Sequence, residues 1–270
     1  MNEIKNTIGQ LHRVDAAARQ NTILSGIHPV GMLLVTVLYL SALLSFLPQN
    51  LTGLLGMAVY PVILYQLGGI PLKEAFRHIW GLMLLLFLVG IANPILDREI
   101  LTYWGSLPVS SGMLSFFSIF LKGAFALLAS YGLMASIGMN HLCYALQCLH
   151  MPKILIVVMM LTYRYLMLFL REAERRSLAY SLRAPGQRGI HFWAWGSLLG
   201  GMLLGSIDRA EKIYYAMQLR GFQGEFWLGY RRYSGRKTVV FCLLMSCLIL
   251  IFRAVPVFEQ VGGWLVNLQP

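Results

Sequence analysis

Long apolar runs are the feature that most restricts how this chain can fold. A helix that crosses a bilayer needs about 20 mostly apolar residues. Runs near that length stand at 29–47, 51–67, 79–96, 112–138, 154–170, 192–207 and 238–255. Because 57% of the 270 residues are hydrophobic and only 12% are charged, the chain has too little charge to cover a soluble domain of this size. We therefore predict an all-α integral membrane protein.

The basic residues indicate in which direction the first runs cross the membrane. Cytoplasmic loops carry an excess of Lys and Arg. The segment before the first run and the loop 68–78 are basic, whereas the loop 97–111 has two acids and one arginine. We therefore expect a cytoplasmic amino terminus, a cytoplasmic loop 68–78 and an external loop 97–111. The charges concerned are Lys5, Arg13, Arg19, Lys73, Arg77, Asp97, Arg98 and Glu99.

The segment 139–237 holds 14 of the 22 basic residues and only five acids. If 154–170 and 192–207 both crossed the membrane, the five arginines of 171–191 would lie outside, which the same rule disfavours. We expect this segment on the cytoplasmic side, with those two runs lying against other helices or at the membrane interface. About five spans remain, and the last one, 238–255, leads to an external tail.

Three regions follow from this topology: amino-terminal transmembrane helices at 1–138, a cytoplasmic-side helical region at 139–237, and a final span with its tail at 238–270. The protein is expected in the cell (inner or plasma) membrane as a multi-pass protein. Its net charge of +11 sits between apolar segments, which argues against nucleic acid and favours anionic lipid or acidic protein partners.

A repeated cassette in the basic region is the most informative motif. Residues 173–184 read AERRSLAYSLRA and residues 210–221 read AEKIYYAMQLRG, with identities at a constant offset. Each cassette predicts a helix without internal Gly or Pro that ends at a breaker directly after its arginine. The positions expected to support these two helices are Glu174, Ala179, Glu211, Ala216 and Gly221.

Each cassette delivers one arginine, Arg183 or Arg220, to the carboxyl end of a surface helix. One such arginine needs no further role, because it interacts favourably with the helix dipole by up to about 1 kcal/mol. Two in matching cassettes also fit docking to two equivalent external surfaces, such as grooves on two ATPase subunits, since a guanidinium binds carboxylates bidentately. From these residues alone, docking and simple capping both stay open.

Small residues precede the second cassette at helical spacing. They are Gly196, Gly200, Gly201 and Gly205, accompanied by Ser197 and Ser206. A face of small residues lets another helix cross closely. We predict that the two cassette helices cross there, which would fix the distance between Arg183 and Arg220. A flexible apolar turn is the alternative.

Several kinds of site have no supporting motif. The sequence lacks G-x-x-x-x-G-K-S/T, H-E-x-x-H and G-x-S-x-G, so we expect neither nucleotide binding nor enzymatic activity in this chain. No two histidines have the ligand spacing of four residues, and the four cysteines read as small buried hydrophobes, so no metal site is expected. No acid lies inside a confident span, where a proton- or sodium-coupled carrier would usually keep one.

The run 208–224, DRAEKIYYAMQLRGFQG, resembles the signature of the transmembrane T component of energy-coupling factor (ECF) transporters, and most closely the cobalt/nickel-type subgroup, CbiQ. The stretches 161–164 and 172–176 resemble the same family. The resemblance implies an importer in which the T component contacts a substrate-binding S component in the membrane and docks two ATP-binding cassette ATPases through coupling helices. An arginine near the end of each coupling helix enters a groove on one ATPase in that family, and these map to Arg183 and Arg220.

The same resemblance implies that this chain binds no cofactor, with ATP and Mg held by the partner subunits. The chain departs from the family pattern at the two expected Ala-Arg-Gly triplets, because 182–184 and 219–221 read Leu-Arg-Ala and Leu-Arg-Gly. The family's amino-terminal Asp-Pro reads His28-Pro29. These departures leave the solute open: cobalt or nickel is the first expectation, and another micronutrient such as a vitamin is the alternative.

Two rival functions come from other classes. A stand-alone secondary carrier would use Lys122, inside the fourth run, and Arg164 as charges along a pathway. Alternatively, Lys122 snorkels from the start of its span. A membrane-embedded enzyme would need a cluster of Asp, Glu, His or Ser, which the sequence does not offer.

Overall fold

The computed structural model describes residues 23–47, 51–96, 100–104, 107–187, 189–226 and 233–254. Some sequence expectations fall outside these ranges. They are the basic amino-terminal segment with Lys5, Arg13 and Arg19, the charges Asp97, Arg98 and Glu99, the basic residues Arg188, Arg231 and Arg232, and the tail 256–270.

The described ranges are almost entirely helical. A short 3₁₀ turn, Ile23–Gly26, comes first. The α-helices that follow are α1 (Pro29–Leu44), α2 (Leu51–Gly56), α3 (Val59–Gly68), α4 (Leu72–Gly90), α5 (Ala92–Leu96), α6 (Ser111–Ile137), α7 (Met139–Cys148), α8 (Lys153–Arg183), α9 (Phe192–Leu219) and α10 (Gly235–Ala254). The fold is therefore all-α, as the apolar runs predict.

One hairpin interrupts this helical pattern between α5 and α6, and the sequence pattern did not indicate it. Strand β1 (Ile100–Trp104) pairs antiparallel with β2 (Leu107–Ser110). Ile100 lies opposite Ser110 and Trp104 opposite Leu107, with an irregularity in register between Ile100 and Thr102.

In the described part of the chain, four helical segments are long and apolar enough to cross a membrane, and two shorter apolar helices accompany them. The four are Leu72–Pro94, Gly112–Ile137, Lys153–Arg183 and Gly235–Ala254, and the shorter two are Pro29–Leu44 and Gly53–Gly68. Large apolar side chains are exposed along them, as at Leu84, Leu85 and Leu88. Such apolar faces are stable in contact with lipid chains, whereas their exposure to water would be unfavourable.

The second apolar run is split into α2 and α3 at 57–58 rather than forming one helix. Pro61 lies in the first turn of α3 and has no N–H to donate to the carbonyl of Met57. The hydroxyl of Tyr39 donates to that carbonyl instead, at 2.9 Å. Tyr39 also stacks on Tyr60 with ring centroids 4.4 Å apart, and Tyr60 shares a hydrogen bond of 2.7 Å with Thr36. The helix break is thus built into the buried packing against α1.

The helices form two compact units. One contains α1–α6 together with α10, and the other contains α7–α9. In the first unit α10 returns to α1 closely enough that a Cβ on Gly31 would stand 2.8 Å from Cys242 Sγ and 2.9 Å from the Thr238 methyl. Thr238 Oγ1 also accepts the N–H of His28, at 2.9 Å. Glycine at position 31 therefore permits this close approach.

In the second unit, each predicted cassette belongs to a helix that begins well before it. The run 154–170 forms the first half of α8, which continues unbroken to Arg183 because no Gly or Pro lies between 153 and 183. The run 192–207 and the second cassette likewise make up α9. In each case the apolar run and the cassette together form one continuous helix.

Candidate functional site

Arg183 is the last helical residue of α8. The helix ends because Ala184 leaves helical conformation (φ −122°, ψ 66°) and Pro185-Gly186 follows, with Gly186 at φ +95°. The N–H of Ala184 still donates to the carbonyl of Tyr180 at 3.1 Å. Arg183 is therefore exposed at the carboxyl end of a 31-residue helix.

Tyr180 ties the following loop back to α8. Its hydroxyl donates to Gln187 Oε1 at 2.9 Å and accepts the N–H of His191 at 3.3 Å. His191 is the residue that precedes α9 as its N-cap. The start of α9 is therefore bonded to the helical turn that carries Arg183.

Arg220 is the C-cap residue of α9, and the helix ends there in a Schellman motif. Gly221 has φ +80°, which favours glycine. Its N–H donates to the carbonyl of Gln218 at 2.9 Å, and the N–H of Phe222 donates to the carbonyl of Met217 at 3.0 Å. These bonds satisfy the last carbonyls without using the guanidinium of Arg220, which stays exposed.

The two arginines share a surface character. Each follows a leucine whose side chain is largely exposed, 74% for Leu182 and 90% for Leu219. Within the described ranges, neither Arg183 nor Arg220 forms an ion pair. A protruding Leu-Arg pair at the end of a helix can bind a groove that offers an apolar wall and a carboxylate.

The other cassette positions predicted from the sequence are spread over the two helices. Glu174 is partly buried on α8, whereas Ala179, Glu211 and Ala216 are exposed. These exposed positions are accessible to a partner and do not themselves join α8 to α9. Gly221 acts through its positive φ at the end of α9.

The ion pair between α8 and α9 is made by charged side chains that the sequence analysis did not assign to the site. The Glu172 carboxylate accepts from Arg176 on its own helix, at 2.8 Å, and from Arg209 on α9, at 2.6 Å. Arg176 Nε adds a further bond of 3.2 Å to Glu172 Oε1. All three side chains are between 23% and 35% exposed, so the cluster is partly shielded from water. It gives the helix pair an electrostatic connection.

Two of the four predicted glycines lie at this cluster and two do not. A Cβ on Gly201 would stand 2.5 Å from Arg176 Nη1, and one on Gly205 would stand 3.5 Å from Arg176 Nη2 and 3.6 Å from Glu172 Oε1. A Cβ on Gly196 or Gly200 would meet nothing within 4 Å. Gly201 and Gly205 therefore make room for charged side chains of α8 rather than for its backbone.

A further ion pair connects the start of α8 to the segment that follows α9. Lys153, the first residue of α8, lies 2.7 Å from Glu225, which follows α9. The lysine is 67% exposed and the glutamate 38%, so the pair contributes little to stability.

A separate group of charges lies in the other unit, at the carboxyl end of α1. Lys122 Nζ donates to the carbonyl of Phe46 at 2.5 Å. Arg253 donates to the carbonyl of Ser45 at 3.2 Å and to its hydroxyl at 3.0 Å, with its guanidinium 4.8 Å from the Phe46 ring. A helix end leaves carbonyls without intrahelical partners and carries negative partial charge. Ser45 is the C-cap of α1, so Arg253 binds the helix end and Lys122 binds the next carbonyl along the chain. Arg164, in the α7–α9 unit, is exposed, 6.0 Å from the Tyr165 ring.

Metal-ligating side chains are not grouped in the part of the chain that the structure describes. No set of three or more His, Cys, Asp or Glu there is placed to hold an ion. Cys143 is buried, and burial raises the pKa of its thiol, which disfavours the thiolate that metals bind.

The long apolar helices and the apolar side chains exposed along them define a class: a multi-pass integral membrane protein of helical architecture. A family model described as "Cobalt transport protein" (CbiQ) matches residues 20–227, which is most of the chain. The chain therefore belongs to the CbiQ family of cobalt transport proteins, a family of transport permeases and not of enzymes.

Among curated proteins, the chain is similar to the nickel permease LarQ of Lactiplantibacillus plantarum. The two are 29% identical over 184 residues. The match covers 63% of this chain and 65% of LarQ, so the chain spans slightly less than two thirds of that relative's length.

Proposed function

We propose that this protein is the energy-coupling transmembrane subunit, or T component, of an ECF-type importer. It binds two ATP-hydrolysing subunits on the cytoplasmic face and a substrate-binding subunit in the membrane. It binds no nucleotide itself, since ATP and Mg belong to the ATPases. Membership in the CbiQ family and the similarity to a nickel permease support cobalt or nickel as the transported solute.

The observation that carries this proposal is the matched pair of helix ends. Arg183 and Arg220 close two long helices of one unit, both are exposed, and both follow an exposed leucine. Helix-dipole capping would need no such repetition. Two similar protrusions suit two copies of a similar groove, as a pair of ATPase subunits would offer.

In this mechanism, ATP binding draws the two ATPases together. Each ATPase holds one arginine, so the ends of α8 and α9 move with them. The helices pass that motion to the membrane-spanning helices and to the bound substrate subunit, which then releases its solute inward. The amino terminus and the segment 139–237 lie in the cytoplasm of a cell whose plasma membrane holds the complex.

Reversing both charges, with Arg183→Glu and Arg220→Glu, tests the docking role. Losing a buried charge pair at an interface costs about 2–5 kcal/mol, so affinity should fall by roughly 30-fold or more at each site. We expect the tagged double variant to copurify neither ATPase and to support no ATP-dependent uptake of labelled nickel or cobalt.

The matched control is Arg175→Glu with Lys212→Glu. These exposed residues are the corresponding basic positions of the two cassettes, away from the helix ends, so the same change in net charge should leave copurification intact. Retained ATPases in the Arg183/Arg220 variant would contradict the docking role. ATP-independent uptake by the purified chain alone in liposomes would instead support a stand-alone carrier.

A further inference from the structure

The ion pair between α8 and α9 joins equivalent positions of the repeat, one residue before each cassette. Glu172 immediately precedes the first cassette and Arg209 immediately precedes the second, so both stand at the same place in the repeat. The two positions carry opposite charges, and their atoms lie 2.6 Å apart. Glu172 and Arg209 therefore occupy equivalent positions in the repeat but carry opposite charges, and they form the ion pair where the two copies meet.

This pair lies at equal distances from the two helix ends. Glu172 is eleven residues before Arg183, and Arg209 is eleven residues before Arg220. At about 1.5 Å per residue, each arginine is roughly 16 Å along its helix from the pair. Eleven residues at about 100° each return to within roughly 20° of the starting direction, so Arg183 lies on the helix face of Glu172 and Arg220 on the face of Arg209.

The contacts run in opposite senses along the two helices. Arg176 lies against Gly201, whereas Glu172, one turn earlier in α8, meets Gly205 and Arg209 later in α9. Arg183 and Arg220 thus project from the ion pair in opposite directions along the helix axes.

We propose that Glu172 is the positioning residue of this helix pair, and that its bonds to Arg176 and Arg209 fix the spacing of the two docking arginines. The proposal rests on the docking function proposed above. Glu172 contacts neither ATPase. Its ion pair lies eleven residues from each docking arginine and determines the position of both. Gly201 belongs to the same device, because its missing side chain leaves the space that the Arg176 guanidinium occupies.

The test uses Glu172→Gln, which keeps the shape and removes the charge. Spin labels are attached at Leu182→Cys and Leu219→Cys in a full-length chain whose four native cysteines are changed to serine. Their distance distribution is measured by double electron–electron resonance in nanodiscs. We expect the distribution to broaden in Glu172→Gln and to remain narrow in Asp208→Asn, the same loss of charge at an exposed neighbour of Arg209.

Function is then read in the assembled transporter without the labels. Because Arg183 and Arg220 are intact, Glu172→Gln should still copurify both ATPases, while ATP-dependent uptake falls by about 2- to 30-fold, the range for loss of one coupling contact. A thiol-reactive cross-linker that joins Glu172→Cys to Arg209→Cys should restore uptake. This rescue distinguishes a positioning role of Glu172 from a general loss of stability.

The outcomes separate the two proposals. An unchanged distance distribution in Glu172→Gln, or an equal broadening in Asp208→Asn, would overturn the positioning role. The distance measurement needs no ATPase, so it decides this question even if the Arg183/Arg220 variant retains its partners and the docking function fails. Lost copurification in Glu172→Gln would assign Glu172 to the docking surface and would likewise overturn the proposal.

Discussion

At the scale of single residues, Arg183 and Arg220 are presented by different local chemistry. Pro185-Gly186 stops α8, whereas α9 ends in a Schellman motif that depends on Gly221. Both endings leave the guanidinium free of the carbonyls it would otherwise cap. What the two cassettes share is therefore an exposed arginine at the helix end, and not the same type of helix cap.

Lys122 illustrates how tertiary structure changes the interpretation of an intramembrane charge. A pathway charge and a structural charge look alike in sequence, but its Nζ donates to the carbonyl of Phe46, the residue after the C-cap of α1. We expect Lys122→Met to lower the free energy of unfolding by about 1–3 kcal/mol, the cost of leaving that partly buried carbonyl unsatisfied. A lower melting temperature in detergent would report it.

Uptake per folded transporter should be retained in Lys122→Met. Lys73→Met, which changes an exposed lysine at the start of α4, is the stability control. Abolished uptake in a fully folded Lys122→Met protein would instead place this lysine on a transport path.

At the scale of elements, α8 and α9 pack as a pair because glycines on α9 leave space for charged side chains of α8. The glycines of α9 do not form a uniform face toward α8: Gly201 and Gly205 meet Arg176 and Glu172, and Gly196 and Gly200 face open space. Helix crossing here depends on an ion cluster in a gap between helices more than on close backbone contact.

Comparing Gly201→Ala with Gly200→Ala tests this interpretation. Alanine at 200 meets nothing within 4 Å and should stabilise the helix by about 0.8–1 kcal/mol. Alanine at 201 would displace the Arg176 guanidinium from Glu172, so the hydrogen-bond loss of about 1 kcal/mol should cancel that gain. Thermal unfolding of the two variants measures the difference, and equal stabilisation by both would contradict the assignment.

At the scale of the whole molecule, the topology remains a prediction from charge. Helix α8 is long and apolar enough to cross a bilayer, yet it carries a cluster of arginines in its second half. The positive-inside rule predicts that this half lies on the cytoplasmic side. The proposed docking of cytoplasmic ATPases requires the same side for 171–226.

Membrane-impermeant maleimide can decide the side in a cysteine-free background. Ser181→Cys and Gln223→Cys, both at exposed positions, should react in inside-out vesicles and not in intact cells. Asp97→Cys, in the loop expected outside, should show the opposite pattern. Labelling of 181 or 223 from outside would overturn both the topology and the docking function.

Much of the fold could be predicted from the apolar runs, since helices must satisfy their own backbone in lipid and runs of about 20 residues mark them. The break at 57–58 could not, because Pro61 alone allows either a kink or an interruption. The bond from Tyr39 to Met57, between residues 18 apart, stabilises the interruption.

The sequence by itself determined the membrane class, the helical architecture and the two cassettes, because hydropathy and local repetition are properties of neighbouring residues. Only the tertiary structure decided that Glu172 pairs with Arg209, which lies 37 residues away, and that Lys122 binds the carbonyl of Phe46, which lies 76 residues away. Such pairs depend on which helix faces meet, and one chain's local pattern does not encode that meeting. The physical reason is that a carboxylate or an ammonium group takes its role from the partner that packing brings within hydrogen-bond distance.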